Sequence, residues 1–563
     1  MTKKEQTQTE EFAQRRAAQA DEKERAAAEE RRRDEALRSH KKIWSRARHT
    51  LVSKFLETRS RVGGDKVAIL DPEGDKITYD RMVLGAFALG NAIRKRTKRG
   101  ENVGVLLPTS AGAIIGILAL HVDGRVPAML NFTAGHSAMI SAIETAQMET
   151  IITSRRFVEI GGYEDMIAAL SEHATILYME DLREGLTAID KLRGALGQKF
   201  PGLLRRPVSP DSPGIIFFTS GTEGKPKGVV LSHQNIVANV EQIRDHVKIE
   251  DTDIIFNPLP VFHSYGLTGG CLFALIDGKK LVPYPSPLHV KQIPLLVEKT
   301  GATLIFATDT FLYRYLRAAK PGTMGSLRYA ICGAEKVRDE TRNLARRLCG
   351  FNVIEGYGAT EASPVVAVNQ PGDIRPGTVG KMLPGIETRI EPVEGLSNGG
   401  RLFIKGPNIM MGYLDSTDPG KLIPPTEGWH DTGDIVEIDG GGYISIRGRL
   451  KRFAKIGGEM VSLAVVENCA SVVWPEAVSA AVIMPDGKKG EQIILLTEEP
   501  DPQPDTLTGW MRSHGVPEIA MPKAVYQVPD IPLLGSGKVD FVTLNSMASE
   551  LISAAQSEKQ AAE

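Results

Sequence analysis

Residues 215–233 read IIFFTSGTEGKPKGVVLSH, and the reading of the whole chain starts there. Ile215, Ile216, Phe217 and Phe218 form a short apolar run of the length and character of a buried strand. A loop follows that holds Thr219, Ser220, Gly221, Thr222, Glu223, Gly224, Lys225, Lys227 and Gly228, after which Val229, Val230 and Leu231 resume the apolar run. Small residues let backbone N–H groups approach an anion closely, hydroxyls add donors, and lysines add charge. A triphosphate needs that combination. The loop is not of the Walker type, because GxxxxGK[ST] would place glycine at 226, where Pro226 stands, and no Ser or Thr follows Lys227.

Working outward, 563 residues are too many for one core, so two or more domains are expected. A hydrophobic content of 42% with 24% charged residues is ordinary for a soluble globular protein. A formal net charge of −1 argues against a bulk nucleic-acid binder. Cys271, Cys332, Cys349 and Cys469 are scattered without a CxxC, which fits a reducing cytoplasm with neither a zinc site nor a disulfide framework. The first thirty residues are charged throughout and show no signal peptide. Val103–Leu120 approaches membrane-spanning length, but Pro108, Thr109, Ser110 and glycines interrupt it. A strand over Val103–Leu107, a turn and a helix over Ala111–His121 are expected instead.

Residues 1–40 combine strong helix formers and i,i+4 opposite charges with almost no large apolar side chains. The expectation for 1–45 is a charged extension, helical or disordered. The basic segment 41–59 differs: it carries Lys41, Lys42, Arg46, Arg48, Lys54 and Arg59 beside Ile43, Trp44, Leu51, Val52, Phe55 and Leu56. Such a segment can touch an anionic membrane peripherally at the inner face, or pack on the enzyme body as a helix. From 67 onward short apolar runs alternate with helical periodicity, the signature of α/β folding with mostly parallel strands. Residues 155–212 read as less regular, with a loop over Pro201–Pro213.

Four further stretches carry chemistry. In EGYGATEASP (355–364) two glycines permit a tight turn, Tyr357 offers an aromatic face for a base, and Thr360 and Glu361 are hard oxygen ligands suited to Mg²⁺. In WHDTGDI (429–435) Asp434 stands at a strand edge where a carboxylate can accept both hydroxyls of a ribose. In IRGRLKRFAKIGGEMV (446–461) Arg449 is a candidate for ribose or phosphate. In PLLGSGKVD (532–540) Gly535 and Gly537 make a loop that presents Lys538.

Taken in order, these motifs resemble those of the adenylate-forming superfamily: acyl-CoA synthetases, luciferases and peptide-synthetase adenylation domains. The resemblance spans about residues 50–545. The strings PLPVFHSYGL (258–267), KGPNIMMGYL (405–414) and RFAKIGGEMVSL (452–463) are most similar to the acyl–acyl-carrier-protein synthetase half of bacterial enzymes that reacylate 2-acyl-glycerophosphoethanolamine. The acyltransferase half of those enzymes has no counterpart expected in 1–45.

The resemblance implies a large N-terminal domain of mostly parallel sheets with helices (46–449), a small mobile α+β domain (450–551) and a tail (552–563). It implies that ATP and Mg²⁺ are used, with Thr219–Lys227 on the phosphates and Thr222 and Glu361 on the metal. Gly333, Ala334, Glu335, Glu355, Gly356, Tyr357 and Gly358 would frame the adenine, with Thr360 beside them. Asp434, Ile446 and Arg449 would hold the ribose. Lys538 would contact the carboxylate and the α-phosphate. Lys451 falls at the hinge, and Lys455, Gly457 and Gly458 on the loop used for thioester formation. A fatty acid would enter a pocket near Phe262, His263, Gly266 and Cys332, with His263 a gate, a carboxylate anchor or a packed structural residue. The acceptor is a phosphopantetheine thiol, of holo acyl carrier protein or of coenzyme A. A scaffold role beside an acyltransferase, working through 41–59, is the alternative of another class.

Overall fold

In a computed structural model, residues 34–219, 226–396, 398–456, 459–486, 490–533 and 539–562 are described. Four sheets organise them. The largest has nine strands. At its centre Val67–Leu70, Lys280–Pro283, Ile254–Asn257, Leu304–Ala307, Tyr329–Cys332 and Asn352–Gly358 run parallel, and antiparallel neighbours close both edges. The second sheet, of eight strands, centres on the parallel run Thr175–Tyr178, Thr150–Thr153, Asn102–Val105, Val126–Met129 and Pro213–Thr219. Both centres are made of short, mostly apolar strands, as suits sheets covered by helices. Two smaller sheets are largely antiparallel. Glu387–Glu391, Gly400–Lys405, His430–Ile438 and Ile444–Arg449 form an antiparallel sheet, and a five-stranded sheet of mostly antiparallel pairs lies beyond residue 452.

The apolar clusters divide in the same way. One pair of cores is built only from residues between Ile43 and Ile446, and another pair only from residues between Ala454 and Ile552. The helix Phe541–Ala562 runs on past residue 551, where a tail was expected. Val103–Leu120 resolves as expected into the strand Asn102–Val105 and the helix Ala111–Val122, capped by Ser110. Among the described residues no helix is long and apolar enough to cross a membrane.

The basic segment 41–59 packs on the body. A helix over 34–46 and another over Leu51–Val62 bury Ile43, Leu51, Val52 and Phe55. The cations meet partners on the helix His233–His246 and its surroundings. Arg46 binds Asp245 at 2.6 Å, Lys54 binds the fully buried Glu241 at 3.1 Å, and Arg59 binds Asp80 at 2.5 Å. A segment whose apolar side lies in the core leaves little of it for a bilayer, so the membrane reading of 41–59 gives way to the packed one.

Residues 155–212 are more regular than their sequence suggested. They form five helices, from Arg155–Gly161 to Pro201–Leu204, and the strand Thr175–Tyr178. These helices are short and two of them bury little apolar surface, so the 3.6-residue pattern is weak.

Candidate active site

The cavity lies where α/β sheets generally place one, at the carboxyl ends of their parallel strands. Leu130 and Asn131 follow one strand, Thr308 another, Gly333 and Ala334 a third, and Gly356 to Glu361 close or follow a fourth. Together they wall a chamber of ≈ 470 Å³. Its described lining contains two charged side chains, Glu361 and Arg449. Away from them Ile243, Val247, Phe273, Phe306, Val365 and Val368 give the wall a large apolar part.

The polar end is held in place by hydrogen bonds. The strands His430–Ile438 and Ile444–Arg449 pair antiparallel with Asp434 opposite Arg449. Arg449 Nε donates to Asp434 Oδ1 at 3.2 Å, and the Tyr357 hydroxyl donates to Asp434 Oδ2. Burial pushes the Asp434 carboxyl above its ordinary range, and Arg449 and Tyr357 oppose that push. Desolvation likewise raises the Tyr357 phenol, with the Asp434 charge adding to it. Tyr357 is therefore a neutral donor at pH 7, aimed at the carboxylate expected to hold a ribose.

Gly358 is required by close approach: a Cβ there would lie 2.4 Å from Pro364 O. Gly266 is required likewise, with its Cβ position 2.2 Å from Pro260 O. It lies in the π-helical turn Tyr265–Leu272, which brings the backbone to the cavity wall. His263 lines the cavity and packs on Phe262 at 4.7 Å. Cys332 lines it as well, from the end of its strand.

Other expected site residues stand elsewhere. Phe262 is buried behind the wall, edge-on to Phe132 at 4.8 Å, and does not line the cavity. Glu355 is buried in a structural role. Its carboxylate accepts from Val337 N at 3.1 Å and pairs with Arg342, while burial raises its pKa. Glu335 accepts from the backbone and hydroxyl of Thr310, at 3.0 and 2.8 Å, and is not in the lining. Ile446 pairs with Val436 and packs on the main core.

Thr219 lines the cavity and is cross-strand from Lys227, the exposed first residue of the returning strand. Ser220, Gly221, Thr222, Glu223 and Gly224 lie outside the described residues, as do Gly457, Gly458 and Lys538. Lys451 sits in the one-turn helix Leu450–Arg452. Lys455 is exposed on the strand Phe453–Ile456, and its backbone N–H donates to Glu491.

Tyr413 is a residue that sequence reading missed. Its hydroxyl donates to Glu361 Oε1 at 2.6 Å, and Lys227 Nζ stands 5.3 Å from its ring centre. It thus ties the candidate metal ligand to the lysine of the phosphate loop. The string KGPNIMMGYL contained it, but only strand pairing reveals the contact: Gly412–Leu414 pairs with Lys227–Ser232. Ser264 adds a hydroxyl contact to Thr360 at 3.3 Å.

No group of three or more His, Cys, Asp or Glu among the described residues could cage a metal. One carboxylate with a neighbouring hydroxyl fits Mg²⁺, which is commonly held by one or two carboxylates together with substrate phosphates and water.

Residues 56–414 match the family model of the AMP-binding enzymes. The medium-chain fatty-acid–CoA ligase of Escherichia coli (strain K12) is 25% identical over 512 residues, covering 87% of this chain and 88% of its own. The feruloyl-CoA synthase of Amycolatopsis sp is 27% identical over 483 residues, covering 83% and 93%. Among solved structures, ATP-bound MatB from Rhodopseudomonas palustris aligns with a TM-score of 0.76 at 25% identity, over 89% of this chain and 99% of that one. The fold is also that of the O-succinylbenzoate coenzyme A synthetase MenE from Bacillus subtilis in complex with ATP and magnesium ion. That match has a TM-score of 0.73 at 20% identity and covers 86% and 98%.

Proposed function

The chain belongs to the AMP-binding enzyme family, and on that premise we propose that it activates a medium- or long-chain fatty acid with ATP and passes the acyl group to a phosphopantetheine thiol of holo acyl carrier protein. As a family member it is an AMP-forming acid–thiol ligase. The observation that supports the fatty acid is the polarity of the chamber. Its two described charges sit at the end framed by Tyr357 and Asp434, and much of the remaining wall is apolar. A carboxylate can stay at the charged end while an alkyl chain fills the remainder.

A carboxylate is a poor acyl donor because its leaving group would be oxide. Its attack on the α-phosphorus of ATP releases pyrophosphate and creates a mixed anhydride. Negative charge builds on the transferring phosphoryl group, and preorganised positive groups supply the main stabilisation. Thr219 and Lys227 flank the loop that would take the phosphates. Glu361, fixed by Tyr413, and Thr360 would hold Mg²⁺, whose contribution is to neutralise phosphate oxygens. Asp434 and Arg449 would orient the ribose, and Lys538 would meet the carboxylate and α-phosphate. Thioester formation would follow rotation about Lys451, which brings the Lys455–Gly458 hairpin to the site in place of Lys538.

Lys538→Ala tests the assignment. Fatty-acid-dependent pyrophosphate exchange falls by about 10²–10³-fold, while thioester formation from supplied acyl-adenylate survives. Equal loss of both half-reactions would end the alternating-face reading. A second acceptor, coenzyme A, is favoured by the relatives named CoA ligases. Labelled palmitate, ATP and each acceptor in turn decide between them. Label on CoA but not on the carrier protein replaces our reading with the second one.

A further inference from the structure

The helix Ala188–Lys199 is built inside out. Its buried positions are Asp190, Gly194 and Gly197, with no large apolar side chain among them. The glycines let it lie against the helix Tyr79–Ile93: a Cβ on Gly197 would stand 2.3 Å from the Phe87 ring, and one on Gly194 would stand 3.0 Å from Leu84 O. Its large apolar residues point outward, and the chain beyond the helix continues the stripe. Ile189, Leu192, Leu196, Phe200 and Leu203 are 71, 58, 40, 54 and 84% exposed. Scattered exposed leucines are ordinary, but a continuous stripe on a tethered helix marks a contact surface.

The charge around the stripe identifies its partner. Segments 94–99 and 183–206 contain eleven Lys and Arg against two acidic residues, Glu184 and Asp190; from outside them Glu149 pairs with Lys98 and Asp123 with Arg193 and Arg206, which leaves the surface basic. Asp190 is buried and bound to Lys95 at 2.7 Å. That ion pair ties the two segments together; Arg99 also donates to Pro207 O, just past the second segment, at 2.7 Å, and within the second Arg193 donates to Leu204 O at 3.2 Å.

An apolar stripe with a basic rim, lying flat on a rigid body, matches an anionic bilayer surface: the side chains enter the headgroup boundary and the cations meet lipid phosphates. A second copy of the same face would bring like charges together. Residues 1–33 contain Met1 and Phe12 as their only large apolar side chains, too few to cover it. We propose that the surface formed by 188–204 and the basic turn 94–99 docks the enzyme peripherally on anionic lipid.

The full chain is floated with vesicles of phosphatidylglycerol and phosphatidylethanolamine, and with phosphatidylcholine alone. Flotation with the anionic vesicles only, reduced by high salt, is expected. Leu192→Glu/Phe200→Glu/Leu203→Glu lowers it at least tenfold with pyrophosphate exchange retained, which separates this surface from the active site. Lys191→Glu/Lys199→Glu, which leaves the apolar stripe whole, lowers it as well and stands in if the triple variant fails to fold. Absence of wild-type flotation on anionic vesicles, or variants that float like wild type, overturns the proposal. So does a wild-type dimer that the triple variant dissolves, because the stripe would then be a self-association face.

Discussion

Two helices of twelve residues each, Leu51–Val62 and Ala188–Lys199, carry apolar stripes and point them in opposite directions. The first sinks Leu51, Val52 and Phe55 into the main core and clamps its cations on Glu241 and neighbouring acids. The second attaches through two glycines and one buried carboxylate, and leaves its leucines outside. Periodicity shows that a helix has an apolar face. Which way that face turns depends on what the opposite face offers: long charged side chains keep a neighbouring helix away, whereas glycines admit it.

Substitutions can break this contrast. Phe55→Ala empties a buried site and costs about 3–5 kcal/mol in chemical denaturation. A loss below about 1 kcal/mol would mean that the first helix is not part of the core.

Acid separates the two anchorages next. His233 accepts from Leu51 N at 3.4 Å and packs edge-on to His121 at 4.9 Å. Burial depresses both imidazoles, His121 to about 4. Both stay neutral in the folded state while the unfolded chain takes up protons. Stability is therefore full above about pH 6.5 and falls as pH drops from there toward 4, by on the order of 3 kcal/mol for His121. The unfolding midpoint measured against pH shows this slope, and His121→Gln flattens it.

The second helix has a different window. Burial acts to raise the Asp190 carboxyl, but Lys95, Thr187 and Asn91 outweigh that and hold it well below the usual range. Its contribution is complete above about pH 4 and is lost only at lower pH.

Gly197→Ala comes third, at about 1–3 kcal/mol, because the added methyl meets the Phe87 ring. The smallest effect is that of Leu192→Glu, which changes the unfolding free energy by less than about 0.5 kcal/mol. A larger loss would show that the stripe is covered within the chain.

Much of the α/β body was legible because its strands are short, apolar and bounded by glycines and turn residues. The hairpin at 213–232, the strand–turn–helix over 102–122 and the strand ending in Gly358 all stand close to their expected positions. Several motif residues meet at one cavity, as their order implied: Thr219, Gly333, Ala334, Gly356, Tyr357, Thr360, Glu361 and Arg449. What failed was side-chain direction. Glu355 sits one residue before Gly356, yet successive strand residues face opposite sides, so its carboxylate reaches Arg342 on the covering helix Asp339–Cys349. Tyr413 and Glu361 are 52 positions apart and meet only through sheet pairing. The inverted helix was invisible because glycines signal turns more often than packing faces.

The helix His233–His246 receives Arg46 and Lys54 on Glu241 and Asp245, and also supplies Ile243 to the apolar end of the cavity. Residues 41–59 are thus an outer brace for a cavity wall. A shortened chain starting beyond them would lose shape where the alkyl tail is proposed to rest, so a failure of that shortened enzyme would speak to architecture and leave membrane targeting undecided.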